Sequence, residues 1–388
     1  MRDTYISDSI LYVGADDKTL DIFESQYPIP NGVSYNSYVI LDEKVAVMDT
    51  VDKRATDTWF ENLAREFGDR KPDYLVVSHM EPDHAANIKN FAERYPETKI
   101  VGNAKTFAMM GQFFEMDLTE RKVLVKEGET LSLGAHTLQF FMAPMVHWPE
   151  VMVAYEQNEK ILFSADGFGK FGALDAEEEW AEEAARYFLN IVGKYGVQVQ
   201  GLLKKASGLD IRMICPLHGP ILKEDLGYYI GLYDTWSSYK PENKGVLVAY
   251  ASIHGNTAKV AEKFAEMLRE RGVEKVVVSD LAREDMAEVI KDAFRYDRMV
   301  VAGASYDGGV FPCMQDFLHH LQSKAYQNRT VGIIENGSWG PTAGRTMKAI
   351  LETMKNVTIV DPMVTIKSTM KDADIPALEA LADMVAGA

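Results

Sequence analysis

The spacing of apolar and polar residues divides the chain into two parts that differ in character. In the first part, short β-branched and apolar runs are separated by turns or amphipathic helices, which predicts two packed sheets with helices outside. The runs that predict strands are Tyr38–Leu41, Val45–Met48, Tyr74–Val77, Leu138–Met142, Val151–Tyr155 and Ile161–Ser164.

In the second part, strands and helices alternate strictly, which predicts a doubly wound five-stranded parallel sheet whose ligand lies beyond the carboxyl ends of the strands. Strands are predicted at Gly245–Ala251, Lys275–Ser279, Met299–Ala302, Val331–Glu335 and near Val364. The polar stretch around Pro241 separates the two patterns. We therefore expect two domains, residues 1–243 and 244–388, as suits a chain of 388 residues.

One loop of the first part is rich in potential metal ligands. His79, Glu81, Asp83 and His84 come directly after an apolar strand. In an extended segment, residues two apart point the same way, so the first three side chains could converge on one point. The alternative is an ordinary turn in which Asp83 caps a helix that begins near residue 85.

Three more candidate ligands, His147, Asp166 and His218, each follow or end a predicted strand. Loops at one rim of a sandwich can reach a common site, which favours a metal centre. Trp148 and the segment 167–171 could wall this site or belong to the ordinary core. Three other histidines, His136, His319 and His320, fit plain strand or helix surfaces.

Three loops of the second part favour a phosphate and an aromatic ring as ligands. The first loop opens a helix, where the dipole and backbone N–H groups attract an anion. Glycines and aromatic residues on the other two allow backbone approach and ring stacking, although the small polar residues also suit helix caps. The candidate residues are Ser252, Ile253, His254, Gly255, Asn256 and Thr257; Ser305, Tyr306, Asp307, Gly308 and Gly309; and Asn336, Gly337, Ser338 and Trp339.

The ordered metal-ligand set resembles the metallo-β-lactamase superfamily, whose loop reads His-x-His-x-Asp-His. Here Glu81 replaces the second histidine, and the added carboxylate favours iron over zinc. With the three flavin-type loops downstream, the chain resembles the flavodiiron proteins along essentially its whole length. The resemblance implies an α/β protein in which an N-terminal metallo-β-lactamase-like αββα sandwich precedes a C-terminal flavodoxin-like domain.

The same resemblance implies two irons and one FMN. By it, His79, Glu81 and His147 bind one iron, Asp83 and His218 bind the other, and Asp166 bridges them. His84 is expected beside the iron without binding it, with a catalytic role in hydrogen bonding or proton delivery.

The implied function is reduction of O2 to water, of NO to N2O, or both. No rubredoxin-like segment follows the flavodoxin-like pattern, which resembles the minimal class that takes electrons from an external carrier such as rubredoxin. The family also implies a head-to-tail homodimer or a dimer of such dimers.

Composition excludes some partners and leaves two other functions open. The net charge of −17 opposes nucleic-acid binding and disfavours a superfamily nuclease. Cys215 and Cys313 fall in different predicted domains, so no disulfide framework is expected. With neither a signal-peptide core nor a membrane-spanning run, we expect a cytoplasmic protein. A zinc hydrolase and an electron-transfer flavoprotein without gas reduction remain alternatives.

Overall fold

The computed structural model describes residues 5–388, and two compact units can be distinguished within them. The first comprises residues 5–187 and Val197–Tyr233, and the second Phe188–Gly196 and Asp234–Ala388. This division falls earlier than the boundary expected after residue 243, which remains the prediction for where a separately folding domain begins.

The elements up to residue 237 alternate short strands with helices. The strands are β1 Ile10–Tyr12, β2 Ala15–Asp17, β3 Ile22–Phe23, β4 Tyr27–Pro28, β5 Val33–Tyr35, β6 Tyr38–Leu41, β7 Val45–Met48, β8 Tyr74–Val76, β9 Lys99–Gly102, β10 Lys122–Leu124, β11 Thr130–Ser132, β12 Thr137–Met142, β13 Met152–Glu156, β14 Ile161–Phe163 and β15 Met213–Cys215. The α-helices are α1 Thr56–Phe67, α2 Pro82–Ala85, α3 Ile88–Arg94, α4 Ala104–Phe113, α5 Trp180–Tyr187, α6 Gly196–Ala206 and α7 Leu226–Ser237.

Two sheets form the centre of the first unit. One has the order β1-β6-β7-β8-β9-β10, with parallel pairing from β7 to β10. The other has the order β11-β12-β13-β14-β15 and is antiparallel except for β14 and β15. Alternate residues such as Val76 and Val101 from the first sheet and Phe140 and Phe163 from the second share one buried core. The predicted sandwich is confirmed.

The second unit contains seven strands and five long helices. The strands are β16 Asn243–Ala251, β17 Val276–Asp280, β18 Tyr296–Tyr306, β19 Gly309–Val310, β20 Thr330–Asn336, β21 Thr358–Ile359 and β22 Val364–Ile366. The helices are α8 Asn256–Glu270, α9 Met286–Arg295, α10 Pro312–Ser323, α11 Ala343–Leu351 and α12 Ile375–Ala386. Shorter helical turns lie at Lys53–Ala55 in the first unit and at Phe188–Val192, Gly193–Tyr195 and Asp372–Asp374 in the second.

The central sheet of this unit has the order β17-β16-β18-β20, with β21 and β22 both pairing with β20 in parallel. Strand β18 is longer than predicted because it pairs with β16 and β20 along its length and with the short antiparallel β19 at its end. This confirms the predicted flavodoxin-like parallel sheet. No helix within residues 5–388 combines the length and apolar character needed to span a bilayer.

Candidate metal centre and flavin cavity

The loop between β8 and α2 changes conformation at Glu81. Before that point, Asp49 Oδ1 accepts a hydrogen bond of 2.6 Å from Ser78 N and holds the loop in place. Glu81 itself is extended, and helix α2 starts at Pro82, which suits the first position of a helix because proline has no N–H. The ligand side chains before and after this change therefore belong to two different groups.

The first group contains His79, Glu81, His147 and Asp166. Glu81 Oε2 lies 3.3 Å from His79 Nε2 and 3.1 Å from His147 Nε2. The Nε2 atom of His147 lies 3.0 Å from Asp166 Oδ2. All four side chains are buried or nearly so, and their nitrogen and oxygen atoms converge as the ligands of one metal ion would.

The second group contains Asp83, His84 and His218. Asp83 Oδ2 lies 3.2 Å from the Nε2 atoms of both histidines, which are 3.0 Å from each other. The other oxygen of Asp166, Oδ1, lies 3.3 Å from His84 Nε2. The two carboxylate oxygens of Asp166 thus contact different groups, which is the geometry expected of a bridging ligand.

The geometry bears on two sequence-based interpretations. Asp83 lies inside α2 and neither of its carboxylate oxygens accepts a hydrogen bond, so the helix-cap alternative is wrong. His84 was expected beside the metal without binding it. Its Nε2 atom lies with Asp83 and His218 in the second group, and whether it binds the metal or stands beside it stays a prediction.

Contacts between carboxylates and histidines in the site shift the pKa values of both. Burial alone would lower the pKa of His147, but hydrogen bonds to Asp166 and Glu81 raise it to about 9. Burial opposes ionisation of Asp166, yet the neighbouring His79 and His147 hold the pKa of that carboxyl well below its usual range. Three carboxylates converge here, and two divalent cations would more than offset their negative charge while the histidines are neutral.

Several buried oxygens have no hydrogen-bond donor. Within the two ligand groups, they are both carboxylate oxygens of Asp83 and Oδ1 of Asp166. An unpaired buried acceptor is costly, so such atoms call for a bound cation or water. These atoms face the histidine nitrogens of the second group, and the residues present therefore fit a metal pair.

Residues that the sequence did not single out hold the ligands in place. Glu150 is fully buried, and its Oε1 atom lies 2.8 Å from His79 Nδ1 and accepts a 2.8 Å hydrogen bond from Met80 N. His218 Nδ1 lies 2.7 Å from the carbonyl oxygen of Ser34. Such partners fix the tautomer that leaves Nε2 free for a metal.

Aromatic rings and one further carboxylate surround the groups. The Trp148 ring lies edge-on to His79 at 5.3 Å, and Tyr187 lies 5.6 Å from His218. Trp148 therefore does wall the site. At the tip of the β3–β4 turn, Glu24 hydrogen bonds to Glu81, and partial burial together with the Glu81 charge raises the pKa of Glu24 to about 7.

Glu150→Ala is expected to lower metal affinity by about 10- to 100-fold, the usual effect of removing a group that orients a ligand histidine. His79 Nδ1 would lose its buried acceptor, whereas Glu150→Gln keeps an oxygen there and should lose less. Metal retention is measured by titration with a chelator. The exposed Glu120→Ala is the control, and equal retention in Glu150→Ala and Glu120→Ala would contradict the role of Glu150.

The three predicted loops of the second unit meet around one cavity of about 620 Å³. All the predicted residues line it except Gly255 and Gly309. Thr342 and Ser368, which the sequence did not suggest, also line it. Its volume lies within the range of small-molecule sites.

Hydrogen bonds between the loops hold this cavity open. Ser305 Oγ accepts from Thr342 N at 2.9 Å and from Ala343 N at 3.1 Å at the start of α11. Asn336 Oδ1 accepts from Ser368 N at 3.1 Å. Gly255 has a φ of +85° immediately before α8, a conformation that L side chains rarely adopt. The helix-cap alternative explains parts of each loop but not their convergence.

Comparisons with known proteins agree with this arrangement. A family model described as ODP family beta lactamase matches residues 33–219, and one described as Flavodoxin domain matches residues 247–359. The solved structure of rubredoxin oxygen:oxidoreductase from Desulfovibrio gigas is 28% identical, covers 99% of this chain and 98% of its own, and superposes with a TM-score of 0.92. The flavodiiron protein of Giardia intestinalis is 25% identical, with coverage of 100% and 96% and a TM-score of 0.89. The chain has the two-domain fold of the flavodiiron proteins.

The nitric oxide reductase of Moorella thermoacetica is 28% identical to this chain over 95% of its length and 94% of the relative's. By its similarity to these enzymes along its whole length, the chain is an oxidoreductase. The first family match spans all seven residues of the two metal groups, and the second spans the three predicted loops around the cavity.

Proposed function

We propose that the protein reduces O2 to water, NO to N2O, or both at a non-haem di-iron site, with electrons relayed through FMN from an external carrier such as rubredoxin. The observation that carries this proposal is the pair of ligand groups joined by Asp166, on a chain that also forms a flavodoxin-type cavity. Its similarity to a rubredoxin oxygen:oxidoreductase and to a nitric oxide reductase supports both gases as substrates.

The irons would be held by seven side chains. His79, Glu81 and His147 would hold the first, Asp83, His84 and His218 would hold the second, and Asp166, whose two carboxylate oxygens lie next to different groups, would serve both. When bound, the iron pair supplies a binding place and electrons for the diatomic gas. The protein's part is to fix the ligand nitrogens through Glu150 and Ser34 and to exclude bulk water with buried walls.

FMN would occupy the cavity of the second unit. The loop from Ser252 to Thr257 precedes α8, whose N-terminal N–H groups favour the phosphate. Tyr306 and Trp339 offer aromatic faces to the flavin ring, and the backbone at Gly308 and Gly337 allows its edge to approach closely.

Exposed apolar side chains at the rim of this cavity favour contact with another protein. Trp339 is 98% exposed, and Tyr306 and Ile253 are also exposed. Large apolar side chains exposed together favour contact with another protein surface. We propose that this partner is a second copy of the chain, in a head-to-tail homodimer or a dimer of such dimers. The external donor would deliver electrons to the flavin in the cytoplasm.

The test of the proposed function is the content and activity of anaerobically purified protein. We expect an iron pair and one FMN in each chain, together with consumption of O2, NO or both when chemically reduced rubredoxin is supplied. A colourless protein that binds zinc, releases no flavin on denaturation and reduces neither gas would support the hydrolase alternative instead.

A further inference from the structure

The first unit contains another cavity, of about 250 Å³, on the outer face of the five-stranded sheet. Val153 and Leu162 line it from β13 and β14, and they alternate with neighbours that face the shared core between the sheets. Val199 and Leu203 on α6 and Ile230 on α7 line the opposite side. The covering helices thus leave an apolar space against this sheet.

The polar side chains in the wall already have partners. Among the described residues that line the cavity, the ones with polar side chains are Ser164, Lys205, Ser207 and Tyr233. Ser164 donates to Gly167 O and Ser207 to Lys204 O, Lys205 contacts Glu127 and Met142 O, and the Tyr233 hydroxyl accepts from Phe168 N. A water molecule needs two to four polar partners to occupy a buried cavity, so this lining suits an apolar occupant.

The lining includes both exposed residues and residues next in sequence to two metal ligands. Lys205 and Ser207 at one part of the wall are exposed. At another part, Val146 is buried and directly precedes His147, while the buried Gly167 and Phe168 directly follow Asp166. The cavity therefore extends from exposed positions to the chain segments that carry two of the proposed ligands.

We propose that this cavity admits and holds the diatomic gas on its way to the metal pair. The inference rests on the proposed function, which supplies the gas as substrate. O2 and NO are small and weakly polar, and transfer from water into an apolar space concentrates them close to the ligands. An apolar cavity of about 150 Å³ is known to stay dry and to bind xenon, so the volume here is sufficient for a gas molecule.

Xenon tests the cavity itself, independently of activity. Crystals of the iron- and FMN-loaded protein under xenon pressure should show the atom among Val153, Leu162 and Val199. Val199→Phe should remove that density because the larger ring fills the space. An unoccupied cavity in the pressurised wild-type crystal would refute the inference.

Kinetics tests whether the cavity lies on the route. In Val199→Phe, kcat/KM for the gas should fall about tenfold, since only minor open conformations would still admit it, while kcat at saturating gas stays unchanged. Val197→Phe is the matched control, because Val197 is on the same helix, is 75% exposed and does not line the cavity.

Leu203→Phe provides a second filling variant if Val199→Phe does not fold. A folded, fully loaded filling variant that excludes xenon but keeps the wild-type kcat/KM would refute the entry route. A wild-type protein that binds xenon but reduces neither gas would refute the proposed function, and the entry role with it.

Discussion

Asp83→Ala should abolish gas reduction while the flavin stays bound and reducible. Asp83 belongs to the second ligand group in the first unit, whereas the flavin cavity is formed by residues of the second unit. Loss of a buried ligand should reduce turnover by more than about 100-fold, the upper effect of altering a residue that merely orients a ligand. The measurements are consumption of O2 and NO, iron content and the flavin spectrum during anaerobic reduction.

Two further variants make this result specific. Asp117→Ala removes an exposed carboxylate of the same unit and should leave activity and iron content unchanged. His84→Ala distinguishes the two roles considered for His84: a direct ligand predicts loss of iron, and a neighbouring proton donor predicts full iron content with low activity. Wild-type turnover in Asp83→Ala protein shown to lack the second iron would refute the di-iron assignment.

Most of the fold follows from local patterns in the sequence. Tyr38–Leu41 and Val45–Met48 form strands at the predicted residues, because two-residue alternation with a buried face specifies both the strand and its register. The sequence pattern does not predict strands β19 and β21. Each has two residues and forms only because the longer β18 or β20 offers a partner, so tertiary pairing decides them.

The chemical types of the candidate ligands were visible in the sequence, but their neighbours were not. The turn from extended chain to helix at Pro82 places His79 and His84 in different groups, and ligand spacing alone does not specify that change. Glu150 and His79 lie far apart in the sequence and come into contact only in the folded chain. His136 was expected on a surface, yet it is buried with Asp42 and Glu159 on either side of its ring.

The second large effect is expected from the assembly of two chains into a homodimer. A heterodimer of one Asp83→Ala chain and one Ser252→Asp chain should recover about half of the wild-type turnover per dimer, because a two-fold head-to-tail dimer has two equivalent sites. Ser252→Asp places a carboxylate in the loop proposed to hold the FMN phosphate, and repulsion between like charges should prevent binding. Each homodimer should be inactive.

The recovery depends on which chain donates electrons to which metal. In the heterodimer, the Asp83→Ala chain keeps its flavin and the Ser252→Asp chain keeps its metal pair, so turnover requires transfer between chains. Differently tagged chains are co-expressed, the heterodimer is isolated with both tags, and its iron, FMN and gas consumption are measured. If electrons passed within each chain, the heterodimer would be as inactive as the two homodimers. Inactivity of a heterodimer whose one flavin and one metal pair are fully loaded would therefore exclude the head-to-tail arrangement. Recovery would support an interface in which the exposed rim around Trp339 faces the metal site of the partner chain.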